Sequence, residues 1–280
     1  MKYLHFFFAF IAVLLLCPLS AHAVEDVAQI GQTTYSSLSE ALEHAQPYDT
    51  LELIADATCA QSLSFPADIT LDGANHSLYL TNGASLRAEG NFYAKNVTIT
   101  AERSVRSNIV LELGGDNTDC TLSRVNLFCP SAKLVPNETT LISFSGSSST
   151  LSIANCLFES ELNGTTGIAV TGDCSESEIT LQDVTVSITS GTQSARSCFA
   201  IDVDSTSDPA LLSLVDCNLN TPTAGLRTDS SSQSFTAELT DCSIYSGNPL
   251  RISGQNGDYD LTDCILSDTS TDNANTTGLV

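Results

Sequence analysis

The chain has no tryptophan, a single methionine, and only ten lysines and arginines against 33 aspartates and glutamates. That shortage of positive charge leaves a formal net charge of −23, which repels nucleic acid and anionic membrane surfaces. Acidic polysaccharides are repelled as well unless calcium mediates. Without tryptophan, and with seven tyrosines scattered along the chain, there is no strong aromatic platform for sugar rings. No Cys-x-x-Cys pair and no Cys/His pairing at ligand spacing occurs, which disfavours zinc. No Gly-x-Ser-x-Gly elbow marks a serine esterase. The longest apolar run, Phe6 to Leu16, is 11 residues, about half of the ~20 a membrane-spanning helix needs.

That run has a different meaning. It follows Lys2 and precedes Ala21-His22-Ala23, the order of basic start, apolar stretch and small-residue cleavage site found in secretory signal peptides. Residues 1–23 are therefore expected to be removed, leaving a mature chain from Val24, secreted or at the cell surface, with no integral membrane segment. Cys17 follows Leu16 rather than a small residue, which argues against a lipoprotein.

What the chain does have is a repeat. Hydrophobic residues make up 42% of it, regularly spaced, enough to build a core rather than a disordered chain. Seven times between Leu86 and Leu266 a two-stranded phrase returns. Its first strand alternates apolar and free positions, as in Leu111-Glu112-Leu113-Gly114-Gly115 and Ile168-Ala169-Val170-Thr171-Gly172. Its second strand carries a Cys/Val slot filled by Val97, Val125, Cys156, Val184, Cys217, Cys242 and Cys264, at intervals of 22 to 33 residues. Immediately before that slot stand Asn96, Arg124, Asn155, Asp183, Asp216, Asp241 and Asp263. An apolar-to-polar switch at one fixed place, rich in Asn and Asp, marks a bend. Such a phrase dictates stacked coils.

Nine cysteines remain after Cys17, an odd number. A residue that alternates with valine behaves as a small buried hydrophobe, so a ladder of reduced, inert thiols is expected. Ahead of the repeat, Ser37 and Glu40 form a capping box, and Leu38, Ala41, Leu42 and Ala45 make one apolar helical stripe that Pro47 ends. The expected organisation is a cap over 24–68, coils over 69–266, and a polar tail without structure over 267–280.

The repeat, its mean coil of roughly 28 residues and the helix-containing cap resemble the right-handed parallel β-helix proteins of the pectin-lyase-like superfamily. The stretch Tyr35 to Leu53, followed by Ile69 to Leu78, is similar to the entry into their first coil. The resemblance implies an all-β fold: a single-stranded right-handed parallel β-helix of about seven to eight coils with an N-terminal cap containing one short helix. A leucine-rich-repeat horseshoe does not fit, because each phrase has two strands and no helical segment. The scaffold hosts lyases, hydrolases, esterases, adhesins and tailspikes, so it specifies architecture and not activity.

Against that family the chemistry is sparse. Polygalacturonase-type hydrolases carry adjacent aspartates and a Gly-His-Gly turn, and neither is present. Histidine occurs only at His5, His22, His44 and His76. The outward ladder of the first strand reads Arg87, Glu112, Ser143, Ala169, Asp202, Arg227, Arg251. Asp202 and Arg227 are expected to stack, with Asp204 beside Asp229. Those four are the candidate catalytic residues, an acid/base set for glycoside cleavage, and Asp202, Asp204 and Asp229 are the candidate calcium ligands. The same patch also reads as a surface salt-bridge ladder. Sequons at Asn75, Asn96, Asn137, Asn163 and Asn275 follow from the Ser/Thr/Asn-rich composition. The expected function is a non-catalytic, adhesin-like scaffold binding a surface glycan or protein partner, without a cofactor. The alternative is a carbohydrate-active enzyme, a polysaccharide lyase or glycoside hydrolase.

Overall fold

Period-two alternation gives every coil one apolar side, which only a neighbouring coil or a cap can bury. The computed structural model describes residues 25–103, 109–130, 138–189, 198–204, 207, 209–228, 235–253 and 257–269. The expected signal peptide, the tail beyond residue 269 and Asp229 lie outside the described residues.

The chain opens with strands β1 (Ala28–Ile30) and β2 (Thr33–Tyr35) and helix α1 (Leu38–His44). There follow β3 (Thr50–Leu53), β4 (Ala57–Cys59), β5 (Leu63–Phe65), β6 (Ile69–Asp72), β7 (Ser77–Leu80) and β8 (Leu86–Glu89). The central strands are β9 (Phe92–Ala101), β10 (Ile109–Gly114), β11 (Asp119–Cys129), β12 (Thr139–Ser145), β13 (Thr150–Ser160), β14 (Thr165–Val170) and β15 (Glu178–Ile188). Then come β16 (Phe199–Val203), β17 (Leu211–Val215), β18 (Asn218–Asn220), β19 (Ala224–Thr228), β20 (Thr236–Thr240) and β21 (Ser243–Ser246). The last three are β22 (Asn248–Ile252), β23 (Asp258–Thr262) and β24 (Ile265–Asp268).

Two sheets stack these strands. One has eight, in the order β22-β19-β16-β14-β12-β10-β8-β5, all parallel. The other has sixteen and is bent lengthwise. Its first flank contains β3, β6, β17, β20 and β23, and its second contains β4, β7, β18, β21 and β24. The long strands β9, β11, β13 and β15 cross both. This is mostly parallel strands in stacked sheets, consistent with a β-solenoid.

The bend is where the sequence pattern placed it, and its cause is backbone handedness. Asn96, Arg124, Asn155, Asp183, Asp216, Asp241 and Asp263 all have φ between 52° and 55°. Asn and Asp tolerate this left-handed region better than other side-chain-bearing residues. The second strand of each phrase is thus one strand folded across a corner, so each turn presents three walls where the phrase shows two strands.

Inside, Phe92, Phe144, Phe158 and Phe235 are fully buried among Leu, Ile and Val. The Cys/Val slot is buried too, only Cys264 being half-buried, and all nine described cysteines are free thiols. Cys156, Cys217, Cys242 and Cys264 each donate their S–H to the carbonyl two residues back, across the corner, at 3.2–3.4 Å. A second column runs through the corner after the eight-stranded sheet. Thr118 N–H donates to Ser149 Oγ at 3.0 Å and Ser149 N–H to Ser177 Oγ at 3.1 Å. These buried hydroxyls satisfy backbone groups that the turns leave unpaired.

The N-terminal end is covered. Ser37 Oγ accepts the Glu40 N–H, and the Glu40 carboxylate accepts from the Ser36 N–H and hydroxyl, one residue earlier than the usual box. Leu38 and Ala41 turn inward from α1. Among the described residues the only antiparallel pairings are β1 with β2 and with β3, which close the edge of the bent sheet. Parallel stacking begins at β3, β4 and β5, in register with β6, β7 and β8. Among the described residues no helix is long and apolar enough to cross a membrane.

Candidate functional site

The outer face of the eight-stranded sheet is the place to look, because most of the described arginines project there. With the apolar partners of the alternation inside, Arg87, Glu112, Ser143, Ala169, Asp202, Arg227 and Arg251 stand in register, one per strand.

At one end of this ladder Arg227 meets Asp202 in a bidentate pair. Nε donates to Oδ1 and Nη2 to Oδ2, each at 2.5 Å. The guanidinium carbon also lies 4.3 Å from the centroid of the Phe199 ring, an outward aromatic that it covers. Both charged side chains are partly sheltered, 14% exposed for Asp202 and 30% for Arg227. Asp204, two residues on, is half-buried, with its backbone bonded to Val170 and Ser207. The expected neighbour Asp229 lies outside the described residues. Among the described residues no group of three His, Cys, Asp or Glu side chains is arranged to hold a metal ion.

At the other end is a shallow cleft of about 180 Å³, lined by Arg87, Ala88, Glu89, Glu112, Leu113, Gly114, Gly115 and Ser145. Arg87 Nη2 lies 2.5 Å from Glu89 Oε1, and its Nε lies 3.7 Å from Glu112 Oε2. Glycine makes the floor for a steric reason: a Cβ on Gly114 would stand 2.6 Å from the Ser145 carbonyl oxygen of the next coil. The Arg87/Glu112 stack and the Gly114-Gly115 pair were visible in the sequence as separate marks. Only the register joins them into one cleft.

Elsewhere on the described surface the charged and aromatic groups are dispersed. Among the described residues Tyr48, Tyr79 and Tyr93 are exposed, and Tyr79 and Tyr93 stand on different flanks of the bent sheet. His76 lies in a turn with Nδ1 3.6 Å from an Asp56 carboxylate oxygen. On the first flank Lys95 Nζ sits 3.0 Å from Asp72. Burial acts to raise the Asp72 carboxyl, but hydrogen bonds from the Ala74 N–H, Lys95 and Asn96 outweigh it and hold it below the ordinary carboxylate value. The corner residues Asp183, Asp216, Asp241 and Asp263 are exposed.

Most of the buried thiols are held protonated, whereas Cys242 is drawn down by its hydrogen bond with Cys217. Burial pushes Cys59, Cys120 and Cys156 up to about 11 and Cys129 up to about 12. Cys217 is raised as well, by its hydrogen bond with Cys242 and by burial. A thiol with these surroundings carries almost no thiolate near neutral pH.

No known protein family, curated protein or solved structure matches the chain.

Proposed function

We propose that the chain is a right-handed parallel β-helix of the pectin-lyase-like kind, exported by its N-terminal segment, that works as a non-catalytic binding scaffold. Its ligand is a surface glycan or a protein partner rich in hydroxyl and amide groups, held on the outer face of the eight-stranded sheet around Arg87, Glu89 and Glu112. The observation that carries this reading is the mutual neutralisation of the charges on that face. Asp202 is engaged by Arg227 through both carboxylate oxygens, and Glu89 and Glu112 both lie against Arg87. A general acid or base must keep its proton-carrying atom open to substrate, and a carboxylate bound through both oxygens to guanidinium does not. The cleft floor of Gly114 and Gly115 lets a ligand approach backbone, and its polar rim supplies both donors and acceptors for hydroxyls.

The test is a binding screen of the mature protein on a broad panel of neutral and acidic glycans and on extracted surface proteins, with and without calcium. Binding to at least one class, weakened tenfold or more in Arg87→Ala/Glu112→Ala and without cleavage, is the expected result. Cleavage of any polysaccharide in the panel, lost in Asp202→Ala, overturns the scaffold reading in favour of a carbohydrate-active enzyme. Binding that the Arg87→Ala/Glu112→Ala variant leaves unchanged removes the cleft from it.

A further inference from the structure

The Cys/Val slot changes character along the stack. Cys156 lies between Val125 and Val184, with no thiol above or below it in the slot. In the last three described turns the slot holds Cys217, Cys242 and Cys264 in succession. Asn218 pairs with Ser243 and Ser243 with Ile265, so the three cysteines just before them stand one above another. The Ser243 N–H donates to the Cys217 carbonyl and the Ile265 N–H to the Cys242 carbonyl, each at 2.8 Å. Neighbouring parallel strands lie about 4.8 Å apart, inside the Cα range of roughly 4.4–6.8 Å that a disulfide accepts.

Access divides the three. Cys217 and Cys242 are at most 2% exposed, whereas Cys264 is half-buried. Side chains in an in-register column point the same way, so bridging two of them requires a rotation about χ1 and a small shift of one strand. Among the described residues β24 is bonded on one side only, to β21, and is the strand free to make that shift. The thiols also interact along the column. The hydrogen bond with Cys217 lowers Cys242 against the upward pull of burial, while burial and the contact with Cys242 raise Cys264. Negative charge in the column therefore collects on Cys242, beside the one thiol that solvent reaches.

We propose that Cys264 and Cys242 form a site of thiol–disulfide exchange with low-molecular-weight disulfides, Cys264 receiving the incoming sulfur, Cys242 resolving it, and Cys217 acting as the positioning residue. Cys264 passes its proton to the Cys242 thiolate and attacks one sulfur of the small disulfide. A mixed disulfide forms on Cys264, and the expelled thiolate takes the proton back from Cys242. Cys242 then attacks Cys264 Sγ and expels the second thiolate. Two protein thiols lose two electrons in all, and one small disulfide is reduced to two thiols. The product staples the last described turn to the one before it.

The chain is convenient for the test, because trypsin cleaves after Arg251 and gives peptides 228–251 and 252–280 with one cysteine each. The reduced native protein is incubated with oxidised glutathione, its remaining thiols are blocked in denaturant, and the digest is read by mass spectrometry. The two peptides should be joined, and dithiothreitol should separate them, while Cys59, Cys120, Cys129 and Cys156 stay free for blocking. Cys242→Val should leave glutathione attached to Cys264, and Cys264→Ser should take up none. Cys217→Val should slow closure about tenfold, with the mixed disulfide accumulating on Cys264, and Cys217→Ser, which keeps a donor, should restore the rate. Valine fills this slot in other turns, so the valine variants retain the packing. The proposal fails if the two peptides stay unlinked, if Cys264 holds glutathione without passing it on, or if oxidation spreads evenly over the nine cysteines. A link between Cys217 and Cys242 instead would overturn the assignment of Cys264.

Discussion

Arg227 grips Asp202 through two hydrogen bonds of 2.5 Å while its guanidinium lies 4.3 Å over Phe199. Three independent constraints produce this arrangement. Parallel register puts the two side chains side by side on adjacent strands, the fork of the guanidinium matches the carboxylate, and the aromatic ring beneath fixes the guanidinium plane. The two residues that the sequence offers as candidate acid and base are, in three dimensions, paired with each other across adjacent strands.

This pairing should be visible in stability. The pair is neither fully exposed, where such bridges contribute up to about 1 kcal/mol, nor fully buried, where removal of one partner costs 3–5 kcal/mol. Asp202→Asn should therefore lower unfolding free energy by about 1–2 kcal/mol in urea denaturation. Phe199→Leu combined with Arg227→Lys should show a non-additive loss in a double-mutant cycle. If Asp202→Asn is neutral at low salt, the pair contributes no structural support.

A different prediction concerns the corners. Arg124 is the one long side chain in a column otherwise made of Asn and Asp, and it shares their φ, at 53°. It has no short polar group with which to offset the left-handed backbone. Arg124→Gly should stabilise the protein by about 1 kcal/mol and Arg124→Asn by somewhat less. The reverse change at a neighbouring corner, Asn155→Val, should destabilise by about 1–2 kcal/mol. Thermal melts of the three variants check the order, and a destabilising Arg124→Gly would contradict it.

The coils were legible because their determinants are local and repeated. Alternation told inside from outside at Leu86, Leu111, Ile142 and their successors, and the Asn/Asp column told where the chain turns. The same column marks the bend but not its consequence: Leu122-Ser123-Arg124-Val125 reads as a single strand, so the phrase shows two strands where each turn has three walls. The buried hydroxyl column was missed for a related reason. Thr118, Ser149 and Ser177 sit in stretches of Ser, Thr, Asp and Gly that look like solvated loop, and only stacking reveals that they bond one another. The candidate site was half legible. Register could be counted from the sequence, so the Asp202–Arg227 contact followed, but the cleft beside Arg87 depends on how closely Gly114 approaches Ser145 in the next coil.

The thiols impose an alkaline limit. Because burial raises the folded-state values of Cys59, Cys120, Cys129 and Cys156 to about 11–12, each favours the folded state fully while protonated, below the unfolded thiol value of about 8.5. That contribution is lost as pH rises through the window from about 9 to 12. Cys156→Val should be close to neutral at pH 7, since Val97, Val125 and Val184 fill the same slot. At pH 10.5 the variant should gain on the native chain by on the order of 1–2 kcal/mol. Urea midpoints at the two pH values measure the difference, and a gap that does not change with pH would mean that the thiol is not buried as described.

Acid should act through Asp72. Its carboxyl accepts the Ala74 N–H at 3.0 Å and the Asn96 side-chain amide at 3.2 Å and lies 3.0 Å from Lys95 Nζ, while remaining only 19% exposed. A carboxyl held below its unfolded value of about 3.9 adds stability above that pH and loses it as pH falls through the lower folded value. Asp72→Asn keeps the shape but forfeits the charge, so it should cost about 1 kcal/mol at pH 6. The difference between the two proteins should narrow below pH 4 and close once the pH has fallen past the lower folded value, where both side chains are neutral. Because Lys95 is 45% exposed, raising the salt concentration at pH 6 should recover only the Coulombic part of the loss. The part due to the Ala74 and Asn96 bonds, both sheltered at the first corner, should persist.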